Sequence, residues 1–352
     1  MKKRIFTVFV CILVAGMSLG LSACKGAEQG GDGEKEVWKL AHTESTDTMY
    51  DMWANKFAEL VKEKSGERIS VEVYPVGQLG DSAAQLEMIQ TGGLDIGIFA
   101  AGDVGSTFPA AQAMALNFLF SEDDKVNEAV LTKGEATKRL NEMFDSKGIH
   151  VYDWLSLGNM QWTSNKPLHS LSDFKGFKMR IMNTPLISEN YKALGANPTP
   201  MAFMETYSGL QLKTVQGTEQ PINAIEEMKF YEVQDYITFS NHAQMASFIA
   251  FNGAFYDGLS EEDKALIDSI KPEMESYASE CLEKVQKEKF ELIKEKKPEI
   301  KIESLTKEER AEFEKASMKV RDKIEELAGA EGKEVMELVI SDVEKFKKES
   351  GN

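Results

Sequence analysis

Residues 173–225 read DFKGFKMRIMNTPLISENYKALGANPTPMAFMETYSGLQLKTVQGTEQPINAI. Phe177, Met179 and Ile181 alternate with Lys178, Arg180 and Met182, the period of a half-buried strand. Arg180 therefore falls on the face opposite Phe177 and Met179. A guanidinium flanked by apolar residues is costly to bury unless it meets an anion. From the residues alone, that anion is either a carboxylate of the protein or one carried by a ligand. A third reading has the long side chain reaching water.

The flanking chain alternates strands with helices, which indicates an α/β fold. Residues 38–41 read as a first strand. Asp47 is placed to cap a helix whose stripe is Met49, Trp53, Phe57, Leu60 and Val61. Ile69, Val71 and Val73 alternate in a second strand closed by Pro75. Asp81 caps a helix to Gln90, ended by Gly92 and Gly93. Residues 94–100 and 150–157 have strand character. After the Arg180 strand come a helix over 185–194, loop chemistry at Gly195-Ala196-Asn197-Pro198, a helix over 205–213, and strands over 231–238 and 247–252. Ser260 with Asp263 starts a long helix in which Pro272 predicts a break or kink. Thr306 and Glu309 form a capping box for a helix that Gly329 ends. An amphipathic helix over 333–348 closes the chain.

Residues 1–23 read as a leader. Lys2, Lys3 and Arg4 precede an apolar run, and Leu21-Ser22-Ala23-Cys24 reads as a bacterial lipobox. The alternative is an uncleaved membrane anchor with Cys24 incidental. Residues 24–36 are Gly-rich and polar, a flexible tether. Without the leader, 38 basic residues face 58 acidic ones, a net charge of −20. Such a surface argues against nucleic acid as a partner. Of the three cysteines, Cys11 goes with the leader and Cys24 takes lipid. Cys281 alone remains, so no intrachain disulfide can form, and a buried helical position is its simplest reading. The four histidines, His42, His150, His169 and His242, show no metal spacing. There is no nucleophile elbow, zinc-protease motif or phosphate loop, and no cofactor is expected.

The words DFKGFKMR, ALGANPTPM, F-M-E-T-Y-x-x-L-Q and V-x-G-x-E-x-P closely resemble the solute-binding proteins of TRAP transporters, the DctP-type family. KFAELVKEKSG, VYPVGQLGD and IQTGGLDIG extend the resemblance from about Trp38 to the end. The family's lPflF stands as Leu116-Asn117-Phe118-Leu119-Phe120, with Asn for Pro. The resemblance implies two α/β lobes joined by crossing strands, a long helix spanning both, and hinge closure over a ligand in the cleft. Lobe I is expected over 37–157 plus 246–285, and lobe II over 158–245 plus 286–352.

The resemblance also places ligand contacts. The arginine matching Arg180 pairs with the carboxylate of an organic acid. Phe203 matches a pocket aromatic, with a core role as the alternative. Gln220 replaces a frequent asparagine and keeps an amide that donates and accepts. Met160 stands where sugar-acid binders have an arginine. Ala100 and Ser82 stand where sialic-acid binders have a glutamate and an aspartate. His42 occupies a cleft-lining position, where a structural role is the alternative. Glu219 and Glu205 match carboxylates expected to be structural. Trp154 and Trp162 lie near the inferred cleft, and core packing explains them equally well.

These features imply an extracytoplasmic lipoprotein that captures a carboxylate-bearing acid and hands it to TRAP permease subunits. The ligand expected from Met160, Ala100 and Ser82 is a small monocarboxylate, a keto or hydroxy acid. Sugar acids and C4-dicarboxylates are the alternatives. A binder feeding a sensor, or a secreted enzyme using scattered carboxylates, are the competing classes. Mass spectrometry of membrane-extracted protein should show a chain starting at a diacylated Cys24, and Cys24→Ala should abolish that processing. An unmodified Cys24 in the native protein would refute the anchor.

Overall fold

The computed structural model describes residues 35–75 and 78–351. The leader, Cys24 and most of the tether lie outside the described residues. Eleven strands are present: β1 (Glu36–Ala41), β2 (Ile69–Tyr74), β3 (Ile96–Ala100), β4 (Ile149–Asn159), β5 (Gln161–Ser164), β6 (Lys178–Ile181), β7 (Asn197–Pro200), β8 (Gly217–Gln220), β9 (Tyr236–Phe239), β10 (Gln244–Asn252) and β11 (Lys301–Ser304). They form a five-stranded sheet in the order β2-β1-β3-β10-β4 and a six-stranded sheet in the order β11-β9-β5-β8-β6-β7.

Each sheet is flanked by helices and forms one lobe. In the first, β3 and β10 are buried on both faces. Phe99 and Phe248 face a cluster with Phe144 and Val339, whereas Ile98 and Ile249 face one with Trp53, Phe57 and Ile267. The stripe read on the first helix, Met49–Lys64, is buried as expected, with Met49, Trp53, Phe57, Leu60 and Val61 each no more than 1% exposed. Each such side chain contributes roughly 1.5–3 kcal/mol of transfer free energy. In the second sheet, Met179 and Ile181 face Phe174, Tyr191 and Phe313. The opposite face packs Ile222, Ile225, Phe230 and Ile293.

The lobes are joined where β4 passes into β5 through Met160, and where β9 passes into β10 through residues 240–243. The helix Glu261–Lys296 packs on Met49–Lys64 and β4 at one end, and on the helix Ile222–Glu227 at the other. It runs through Pro272 without the expected break. One backbone hydrogen bond is lost there, but Ile270 and Met274 on either side are buried in the first-lobe core.

Other local readings need correction. Thr48, not Asp47, caps the first helix; Asp47 adopts a positive φ of 64°. Residues 197–200, expected as a loop, form β7, which pairs only with β6. An edge strand bonds on one side, so its prolines are tolerated. Residues 231–233, expected as the start of a strand, belong to a helical turn, Phe230–Val233, before β9. The helices Asp124–Lys133 and Glu135–Asp145 and the strands β5, β8 and β11 had no sequence counterpart.

The end of the chain also departs from the expected lobe limits. The helix begun by Thr306 ends at Arg321, and Ile324–Glu349 follows with a non-helical kink at Gly329. Its Val335, Val339 and Val343 join the core of the first lobe with Val130 and Leu140. The earlier part of the span stays with the second lobe: the end of the long helix packs on Ile222–Glu227, β11 pairs with β9, and Lys307–Arg321 packs against Pro185–Leu194. The span 286–352 therefore does not belong to the second lobe throughout.

The capping box at Thr306 and Glu309 is formed, with Thr306 N donating to Glu309 Oε2 (2.7 Å) and Glu309 N to Thr306 Oγ1 (3.2 Å). The same helix carries Arg310, which donates to Ser240 O (2.7 Å) at one crossing. Thr306→Ala should cost about 0.5–2 kcal/mol of stability. Urea denaturation measures it, and an unchanged midpoint would show that the cap is idle.

Candidate functional site

Arg180 lies on β6 between β7 and β8, paired in register with Thr199 and Thr218. Met179 and Ile181 take one face, so Arg180 points to the other, the face that also carries the helix Ile222–Glu227. The side chain is 2% exposed. Its Nε and Nη2 both donate to Met201 O, at 3.0 and 2.8 Å. Nη1 is buried and has no hydrogen-bond partner among the described residues. Asp103 and Glu219 act on the guanidinium through space and favour its charge, against burial, which disfavours it. Among the described residues no carboxylate forms a salt bridge with it. One carbonyl thus orients the fork and leaves one nitrogen for something else.

The first lobe brings its groups from the carboxyl ends of β1 and β3, the side on which open α/β sheets bind ligands. His42 and Glu44 follow β1, and Asp103 follows β3. Ser82, at the start of the helix Ser82–Thr91, donates to Asp103 Oδ2 (3.1 Å). Burial raises Asp103's affinity for a proton and the Arg180 charge lowers it. Glu44 is buried, accepts from Tyr50 N (3.2 Å), and is pushed by burial to about 7, with Asp103 adding to the shift.

On the second lobe, Glu227 ends the helix Ile222–Glu227. Both its carboxylate oxygens are buried without a hydrogen-bond partner among the described residues. Burial and the facing Glu44 charge push it to about 9, against Lys289. Asn223, one turn earlier, is fully buried, and neither its amide nitrogen nor its oxygen has such a partner. Electrostatic coupling runs from Arg180 to Asp103, from Asp103 to Glu44, and from Glu44 to Glu227. These four residues, contributed by both lobes, form one series of electrostatic neighbours.

The remaining sequence candidates lie as follows. His42 is fully buried and pinned at Nε2 by Asp51 (3.3 Å); burial lowers its pKa. Ala100 ends β3 opposite Ser247 and is 2% exposed. Met160 is buried at the crossing, its N–H donating to Ala243 O. Phe203 is half-buried and meets Phe230 edge-on at 6.2 Å. Gln220 ends β8, buried, opposite Gln161. Glu205 is exposed at a helical turn. Glu219 accepts from Tyr191 OH (2.5 Å) and His242 Nε2 (2.7 Å), and Trp162 Nε1 donates to that same tyrosine oxygen (3.0 Å). Trp162 thus belongs to a buried network, and Trp154 to the first-lobe core beside Phe144 and Phe248.

Glu44, Asp103, Asn223 and Glu227 were not anticipated from sequence. The available signals were polar residues just past strand ends and an i, i+4 polar pair on an otherwise apolar helix. Among the described residues, no group of three or more His, Cys, Asp or Glu is arranged to hold a metal ion, and no helix is long and apolar enough to cross a membrane.

Comparison with known proteins places this geometry in context. An ectoine/5-hydroxyectoine-binding periplasmic protein of Ruegeria pomeroyi is 31% identical over 349 residues, 97% of this chain and 98% of that protein. A C4-dicarboxylate-binding periplasmic protein of Rhodobacter capsulatus is 31% identical over 301 residues, 85% of this chain and 89% of its own. The solved structure of the periplasmic ectoine-binding protein from a TRAP transporter of Halomonas elongata superposes with a TM-score of 0.85 at 30% identity, over 88% of this chain and all of that one. Residues 40–327 match the DctP family, described as bacterial extracellular solute-binding protein family 7. With two α/β lobes joined by crossing strands and these matches over most of its length, the chain belongs to this family, the solute-binding proteins of TRAP transporters.

Proposed function

We propose that this protein captures a small monocarboxylate between its lobes and delivers it to a TRAP permease, without chemistry of its own, from a lipid anchor at Cys24 on the outer face of the cell membrane. The observation that carries the reading is Arg180 Nη1, a buried donor with no protein partner among the described residues. Leaving such a group unsatisfied costs about 1–3 kcal/mol or more. A ligand carboxylate supplies the acceptor, and the carbonyl of Met201 has already fixed the guanidinium plane.

Three features favour a monoanion with few hydroxyls. Met160 and Ala100 add no polar side-chain atoms. Arg180 is the cation that acts on Asp103, and the acids Asp103, Glu44 and Glu227 disfavour a second carboxylate beside them. Buried hydroxyls without partners would also cost affinity. Ectoine, named for the Ruegeria and Halomonas relatives, shares the single carboxylate and the lack of hydroxyls, but carries a positive charge as well. A C4-dicarboxylate, named for the Rhodobacter relative, is the alternative, with Gln220 and His42 as its second anchor.

Lobe closure belongs to this reading, because a ligand that touches groups of both lobes binds the closed state better. The crossings at Met160 and residues 240–243 are the natural hinge.

Thermal-shift screening with small acids identifies a ligand, and calorimetric titration of Arg180→Ala and Arg180→Lys tests the assignment. Removing one buried partner of a charge pair costs about 2–5 kcal/mol, or roughly 30- to 4000-fold in affinity. Lysine should rescue little, since an ammonium lacks the planar fork. Affinity within about threefold of wild type would show that Arg180 is purely structural.

A further inference from the structure

The face of the helix Ile222–Glu227 that carries Asn223 and Glu227 makes no side-chain hydrogen bond among the described residues. Residues four apart share a helix face. Here they place four buried polar atoms, Asn223 Nδ2 and Oδ1 and Glu227 Oε1 and Oε2, without a hydrogen-bond partner among the described residues. Buried polar groups are nearly always bonded, so four orphans on one short face are unusual. The neighbouring acid of the same helix behaves differently: Glu226 pairs with Lys289 (2.7 Å) and Lys296 (3.1 Å) on the long helix. Those lysines are spent on Glu226, and Lys289 reaches Glu227 only through space.

The helix is also tied to the arginine. It follows β8 directly, and Thr218 of β8 is the register partner of Arg180. From the other lobe the Glu44 charge acts on Glu227 through space, and that of Asp103 acts on Glu44.

We propose that Asn223 and Glu227, with Glu44 opposite, form a second subsite that takes a protonated, N–H-bearing nitrogen of the ligand, so that the solute is a compact zwitterion. This rests on reading Arg180 as the carboxylate site. The charges favour it: Asp103, Glu44 and Glu227 stand in series with Arg180 at one end and Lys289 at the other, and a ligand carboxylate adds a further acid. An ammonium or amidinium restores the balance and donates to Glu227 and Asn223 Oδ1. A keto acid brings only acceptors, and a quaternary ammonium brings charge without a donor. In the absence of such a cation, the repulsion is relieved by protons, consistent with the raised affinity of Glu44 and Glu227 for them. The other titratable groups facing the pair are Asp103 and Tyr50 on one side and Glu226 and Lys289 on the other.

The test is calorimetric titration at pH 7, in two buffers of different ionisation enthalpy, with ectoine, L-proline, glycine betaine, pyruvate and lactate. Ectoine or proline should bind at least tenfold more tightly than the other three and release protons into the buffer. Glu227→Gln, close in shape, should weaken that binding tenfold or more and reduce the proton release, without weakening pyruvate or lactate. Glu44→Gln should act in the same direction, so the result does not hang on one variant. Tightest binding by pyruvate, lactate or betaine, or a Glu227→Gln protein within threefold of wild type for the zwitterion, would overturn the proposal. If Arg180→Ala abolishes binding in that case, the carboxylate reading survives and only the second subsite fails. Binding of no acid in the panel would count against both.

Discussion

A guanidinium that cannot be left half-satisfied is the constraint around which the second lobe is arranged. Arg180 has lost its water, and burial presses against its charge. The carbonyl of Met201 takes two of its donors, which fixes the plane of the fork. That carbonyl is available because β7 runs beside β6 and delivers the chain to Met201. Without the edge strand Asn197–Pro200, nothing would hold the arginine in one orientation. Asp103 and Glu219 then set the field without consuming the remaining donor. A directly paired carboxylate would have made Arg180 a structural residue; these two keep their distance and serve as background charge.

Beneath this lies a second layer of order. Glu219, Tyr191, His242, Ser240 and Trp162 are joined by short hydrogen bonds in the interior. His242 and Ser240 belong to the crossing between β9 and β10. Glu219 sits one residue before Gln220, on the strand next to Arg180. The network therefore ties the hinge to the strand that supports the site. Arg310 adds a clamp from outside, donating to Ser240 O and covering the ring of Phe118 at 5.0 Å. Hydrogen-bonded crossings and a preorganised arginine are two results of the same packing.

Much of this was legible in the sequence because it is local. The strand alternation around Arg180, the stripe from Met49 to Val61, and the caps at Asp81, Ser260 and Thr306 depend on residues within a turn or two of each other. The failures are equally physical. Residues 231–238 hold aromatic and β-branched residues at Tyr231, Val233, Tyr236, Ile237 and Thr238, yet only those from Tyr236 find a partner in β11, and the earlier ones curl. Asn197 and Pro198 read as a turn because proline cannot donate, but an edge strand asks for donors on one side only. Glu44, Asp103 and Glu227 could not be read at all. Nothing in the residues around any one of them signals that the others stand nearby; that follows only from the folding of two sheets onto one cleft.

The closing helix, Ile324–Glu349, carries a consequence for how the molecule comes into being. Its valines complete a core begun by residues some two hundred positions earlier, and Ala136 N is held by Asp342 (2.9 Å). Neither lobe is a continuous segment of chain. A polypeptide emerging from its amino end cannot bury Val130, Leu140 or Phe144 in their final places until its last thirty residues are free. Contacts of such long sequence separation form late and slowly. The nascent chain is thus kept from locking into its native shape for nearly the whole of its synthesis, a property suited to a polypeptide that must be threaded through a membrane before it folds.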